Sequence, residues 1–169
     1  MKLIADKELK TDEEVVEYFK ENNILLNDYR NAVIALITDN NDRILLQRRG
    51  PKSRDEENRL ADIGGAVEEN DKDFREALKR EIIEEVGNEA NIQVENFVCC
   101  FLCCKYDSRS KKEVNWLFWV YKCRYIDGNL LFNEPGKCLG YEFYKYNELP
   151  RNEMLDTTKE FWDYYYKTL

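Results

Sequence analysis

The sequence predicts an α/β sandwich built on a mixed β-sheet, and three observations point there. Amphipathic helical stretches and apolar strand-like stretches follow the order helix, strands, helix, strands, helix. A length of 169 residues with 43% hydrophobic side chains suits one domain with a substantial core. Short turn-forming stretches separate the segments, with no repeat, low-complexity tract or interdomain linker between them.

Taken in order, "TDEEVVEYFKENN" opens with a capping box, Thr11 to Glu14. Val15, Val16 and Phe19 follow at helical spacing, and Asn22–Asn23 ends the helix. "NAVIALIT" and "RILLQRR" read as strands joined by a hairpin turn at "DNND". "GPKSRDEENRLADIGG" reads as a polar loop that leads to a double glycine. The helix after it takes Asp71 or Asp73 as N-cap and stops at Gly87. Three strands follow, in "IQVENFVCCFLCC", "VNWLFWVYKCRY" and "LGYEFYKY", with turns at "DSRSKK" and "DGN". "MLDTTKEFWDYYYK" is a closing helix whose aromatics suit a core or an interface, which makes it a candidate homodimer contact.

Composition removes several classes of chemistry. The chain has no histidine, so serine–histidine and cysteine–histidine nucleophile systems are excluded, as are most transition-metal sites. Catalysis must run on carboxylates, lysine, tyrosine or cysteine. A net charge of −8 gives no general attraction for a nucleic acid polymer. An anionic substrate would need a metal cation or a local basic patch to reverse the field. The longest apolar run, "NAVIALIT", is far below the roughly 18–20 residues of a membrane span, so no membrane association is expected. "MKLIADKELK" turns polar at once and lacks the apolar heart of a secretory signal, which predicts a cytoplasmic protein.

Cys100 and Cys103 have the CxxC spacing of a metal or redox site. Strand alternation, however, sends Cys99, Phe101 and Cys103 to one face and Cys100, Leu102 and Cys104 to the other. That split favours buried, reduced strand cysteines.

"REIIEEVG" carries the densest chemistry. With Glu81 at zero on a wheel of about 100° per residue, Glu84 falls near −60° and Glu85 near +40°. Leu78, Ile82, Ile83 and Val86 form a separate apolar stripe, and Ala77 lies beside the acids, where a small side chain leaves room. An ordinary solvated face would alternate charge, whereas Glu81 and Glu85 are a like pair costing a few tenths of a kcal/mol. Hard oxygen donors clustered without histidine point to Mg²⁺ or Mn²⁺.

With the glycines upstream, "GGAVE…REIIEEVG" resembles the Nudix box, G-x5-E-x7-R-E-U-x-E-E-x-G-U, through Arg80, Glu81, Ile82, Glu84, Glu85 and Gly87. The first half departs: Gly65 to Arg80 is one residue longer than the pattern, Asp71 stands for the glutamate, and Asn88 ends the box. An inserted loop residue ahead of the helix accounts for the difference. Downstream, "NEPGKCLGYEFYKYNELP" resembles MutT-like nucleoside triphosphate pyrophosphatases over Glu134, Pro135, Lys137, Cys138, Gly140, Phe143, Tyr144, Leu149 and Pro150.

These resemblances imply a Nudix-type α/β/α sandwich as a single domain over residues 1–169. Residues 1–30 would form an N-terminal helical extension, and residues 152–168 a C-terminal helix. They also imply metal-dependent hydrolysis of a nucleoside diphosphate linked to a further group, with a small nucleotide as the partner. Glu81, Glu84 and Glu85 would hold Mg²⁺, with the Gly65 carbonyl as a further ligand. Glu81 is the candidate general base, and Arg80 orients a carboxylate through a bidentate pair. Glu134 is either a fourth ligand or a loop cap. Arg48, Arg49, Lys52 and Arg54 are candidates for phosphate handling, beside the Gly64–Gly65 backbone, or form a solubilising loop. Tyr141, Phe143 and Tyr144 either stack on a base or belong to a core strand.

The expected substrate is a (d)NTP or oxidised (d)NTP, cleaved to NMP and pyrophosphate. ADP-ribose or an NDP-sugar is the alternative, and a non-catalytic nucleotide-binding domain another. "ILLQRR" with its polar loop also resembles isopentenyl diphosphate isomerase, whose metal site needs a histidine that this chain lacks.

Overall fold

The computed structural model describes residues 2–3, 9–53, 56–108 and 110–169. Their strands form one eight-stranded sheet. These are β1 (Lys2–Leu3), β2 (Arg30–Thr38), β3 (Ile44–Arg49), β4 (Leu60–Ala61), β5 (Ile63–Ala66), β6 (Asn91–Asp107), β7 (Lys112–Asp127) and β8 (Cys138–Tyr144). The helices are α1 (Asp12–Glu21), α2 (Phe74–Val86) and α3 (Asp156–Thr168). Strand order is β1-β6-β7-β2-β3-β4, with β5 on β2 and β8 on β3. Only β2 and β7 run parallel among the paired strands, Arg30 opposite Trp116 through Thr38 opposite Arg124, so the sheet is mixed.

Alternation along the strands divides the core in two. Val33, Ala35 and Ile37 of β2 face Val15 and Phe19 of α1 and Leu78, Ile82 and Val86 of α2. Ala32 and Leu36 face Phe161 and Trp162 of α3. The cysteines obey the same rule: Cys100 lies in the first cluster, Cys99 and Cys103 in the second, and all six are free thiols. The tyrosines of α3 pack partly buried on the second cluster, so that helix closes the fold with its aromatic side. No helix among the described residues is long and apolar enough to cross a membrane.

Local sequence explains the element ends. Thr11 and Glu14 exchange the two hydrogen bonds of a capping box. Asp39 Oδ1 accepts from the N–H groups of Asn41 and Arg43 and closes the β2–β3 turn. Asp73, not Asp71, caps α2 by accepting from Glu76 N at 2.7 Å. Gly87, at φ 82°, ends α2 in a conformation that a side chain would strain. Phe74 at the start of α2 stacks on Trp119 at 3.9 Å between centroids, fixing the helix to the sheet.

Two expectations need correction. The stretch read as a polar loop contains β4 and β5, because "LADIGGA" pairs with β3 and β2 rather than running free. The apolar stripe of α2 is narrower than the wheel suggests. Ile83 is 51% exposed, whereas Ala77 is fully buried in the core and leaves no room beside the acids.

Candidate active site

The sheet splits where the acids meet it. β3 pairs with β2 only at Ile44 opposite Thr38, then turns to pair with β4 and β8, while β5 continues along β2. The α2 acids lie at this parting. Glu85 accepts from Gln47 Nε2 of β3 at 2.9 Å and from Gly64 N of β5 at 3.3 Å. Glu81 lies against Gly65: a Cβ there would stand 2.3 Å from Glu81 Oε2, so only glycine admits the carboxylate to the strand backbone. Glu84 is on the outer side of the helix, about half exposed.

Arg80 organises the acids from outside. Its Nε and Nη2 form a bidentate pair with Asp71, at 3.0 and 2.8 Å. Nη2 also donates to Ala66 O, and Nη1 donates to Glu81 at 2.8 Å and to Glu84 at 3.2 Å. The guanidinium holds Asp71 below the usual carboxylate range. Asp71 is thus Arg80's partner across the inserted loop residue, not the helix cap.

Electrostatics sets this cluster apart. Burial pushes the Glu85 carboxyl up to about 8, and Glu81 and Glu134 add repulsion that Gly64 N and Gln47 only partly offset. Glu81 is also raised, by burial first, against the pull of Arg80. Two buried acids with a third nearby are a high-energy arrangement without a cation among them.

A divalent ion fits the donor chemistry: carboxylate oxygens beside a glycine whose missing side chain admits Glu81 to the strand. As they stand, no three acidic, cysteine or histidine side chains among the described residues converge as a finished cage. Arg80 Nη1 lies between Glu81 and Glu84, and Lys137 Nζ holds Glu134 at 2.5 Å. Ion binding would require those carboxylates to turn inward while Asp71 retains Arg80.

The basic residues divide. Arg48 alternates with Gln47 and so points away from the acids, where it pairs with Glu142 at 2.7 Å and Glu153 at 2.8 Å. It stitches β3 to β8 rather than joining the site. Arg49 lines the large cavity. Lys52 lays its stem on Gly136. Arg54 lies outside the described residues.

Tyr141 and Phe143 are not brought to a ligand face. The Tyr141 hydroxyl donates to Glu85 O and Leu131 O, and both rings pack on the α1–α2 core. The aromatic surface lies instead on the α3 side, in a cavity of about 680 Å³. Trp116 and Phe118 line it with Asp62, Thr158 and Phe161, and it reaches Gly64, Gly65 and Ala66 beside Glu81. Sequence reasoning missed this cavity, Gln47 and Asp62. The one signal for Gln47 was a polar side chain interrupting the apolar strand "RILLQRR".

The NUDIX domain family profile matches residues 28–165. No curated protein sequence matches the chain. Among solved structures it resembles a NUDIX hydrolase from Nitrosomonas europaea at TM-score 0.64 and 14% identity, covering 83% of this chain and 90% of that one. It resembles a MutT NUDIX hydrolase from Burkholderia pseudomallei at 0.59 and 24%, covering 78% and 93%. It also resembles the NUDIX domain of Shewanella oneidensis NrtR complexed with ADP ribose at 0.64 and 12%, covering 94% and 98%.

Proposed function

The chain belongs to the NUDIX domain family, a family of hydrolases that act on pyrophosphate bonds, and from that premise we propose a metal-dependent nucleotide pyrophosphatase. Its substrate is a nucleoside diphosphate derivative, with a (d)NTP or oxidised (d)NTP, cleaved to NMP and pyrophosphate, as the favoured class. One observation carries the reading: Glu85 is held at the split of the sheet by Gln47 and Gly64, with Glu81 against the bare backbone of Gly65.

In this reading Glu81, Glu84 and Glu85 hold Mg²⁺ or Mn²⁺, with the Gly65 carbonyl and Glu134 as further ligands. A divalent ion bound there neutralises charge on the phosphoryl oxygens and lowers the pKa of bound water. Glu81 accepts a proton from the attacking water as its oxygen bonds to phosphorus and the anhydride P–O bond breaks. Arg80 acts through the carboxylates it orients, since Asp71 holds its guanidinium in place.

The nucleoside occupies the cavity on the α3 side. Trp116 and Phe118 offer nearly parallel rings, 10° apart, and Gly65, which the Glu81 carboxylate approaches, is among the residues that line the cavity; both features support this reading.

The test is product analysis against a nucleotide panel in Mg²⁺. Pyrophosphate with NMP supports the favoured class, and orthophosphate release from triphosphates counts against it. AMP with ribose 5-phosphate from ADP-ribose would move the assignment to the alternative that the Shewanella structure's ligand brings to mind. Tight calorimetric binding without turnover would mark a non-catalytic domain.

A further inference from the structure

A lysine that neither the acid helix nor the basic loop supplies pairs with Glu134. Lys137 Nζ contacts Glu134 Oε1 at 2.5 Å, with the lysine side chain 54% exposed.

The backbone beneath it is fixed. Lys137 O accepts from Gly50 N at 2.6 Å and from Ser53 Oγ at 3.0 Å, and Lys137 N donates to Glu134 O at 3.1 Å. Lys52 N donates to Gly136 O at 2.9 Å. The stem of Lys52 crosses Gly136 so closely that a Cβ there would stand 2.8 Å from Cδ. Two stretches far apart in sequence, 50–53 and 134–137, are therefore one clamped unit carrying two lysines. Only the four-carbon stem of Lys137 has to turn for its ammonium to leave Glu134.

We propose that Lys137 binds the phosphate chain of the nucleotide, leaving Glu134 as the substrate arrives and releasing that carboxylate toward the metal. The proposal rests on the hydrolase reading above. A protein of charge −8 must hold a polyphosphate beside four glutamates, and a compact ammonium on a clamped turn meets that need. An exposed pair three residues apart contributes little to stability, so holding the fold does not explain the placement.

The experiment compares wild type, Lys137→Met and Lys137→Arg. It uses calorimetry with an α,β-methylene nucleoside triphosphate in Mg²⁺, Mn²⁺ titration followed by electron paramagnetic resonance without nucleotide, and steady-state kinetics. The methionine variant is expected to bind the nucleotide about 10-fold more weakly and to raise KM similarly, with kcat changed less than about threefold. Arginine restores most of the affinity. Mn²⁺ affinity is unchanged or tighter, because a competitor for Glu134 is gone. Wild-type-like nucleotide affinity in the methionine variant, or weakened Mn²⁺ binding in both variants, overturns the proposal. If wild type binds nucleotide without hydrolysing it, the hydrolase reading fails while calorimetry still decides Lys137.

Discussion

Glu85 and Asp62 are both buried carboxylates, one on each side of the sheet, and burial raises both, Glu85 to about 8 and Asp62 to about 7. Their surroundings differ. Around Glu85 lie Glu81 and Glu134, of the same sign, with Gln47 and Gly64 donating. Around Asp62 no acidic neighbour among the described residues adds to the shift: Trp162 Nε1 donates to Oδ1 at 2.8 Å, and Asp62 N donates to Thr158 Oγ1 at 3.3 Å. Burial alone therefore does not separate a reactive acid from a structural one. The company of like charges against exposed backbone does.

The sharpest way to break this contrast is Glu85→Gln. Removing a repelled charge should leave the protein as stable or more so, while lowering kcat about 10²–10⁴-fold. Phosphate-release kinetics paired with thermal melts checks it, and near-normal turnover would sink the metal assignment.

Asp62→Asn should do the reverse, changing stability with pH more than chemistry. The folded carboxyl titrates near 7, while the unfolded one titrates near the usual 3.8. Between those values the native state holds a proton that the unfolded state has lost, so stability falls as pH rises from about 4 to 7. Asparagine keeps the acceptor for Trp162 and removes the ionisation. Urea titrations should show the variant more stable by roughly 4 kcal/mol at pH 8 and nearly equal to wild type at pH 4.

Gly65→Ala places a methyl against the Glu81 carboxylate and should cost about 10- to 100-fold in kcat. The matching substitution at Gly140, whose Cβ would meet nothing within 4 Å, should be nearly silent in the same assay. The smallest effect belongs to Asp71→Ala. It frees Arg80 from its bidentate partner, and about 1–2 kcal/mol of stability should go with it, measured by chemical denaturation.

Much of the site was legible because it is local. The arc of Glu81, Glu84 and Glu85 follows from helical spacing and the box pattern. The clamped turn was not legible, because residues 50–53 and 134–137 meet only through the β3–β8 pairing. Tyr141 and Phe143 could not be told from ligand-stacking aromatics until the pairing of β8 on β3 set them against the α1–α2 core. Arg48 and Lys52 belong to one basic stretch, yet strand alternation sent Arg48 to Glu142 and Glu153.

By itself the sequence determined the capped helices, the β2–β3 hairpin, the division of the cysteines between two faces and the acid cluster of α2. Each of these depends on neighbours within a turn or two of the chain, where spacing and side-chain chemistry suffice. Tertiary structure alone decided that "LADIGGA" becomes strand, that Gln47 and Gly64 reach Glu85, and that the turn carrying Lys137 is clamped to residues 50–53. Those outcomes depend on which strands pair and where the sheet parts, a choice made by long-range packing rather than by local preference.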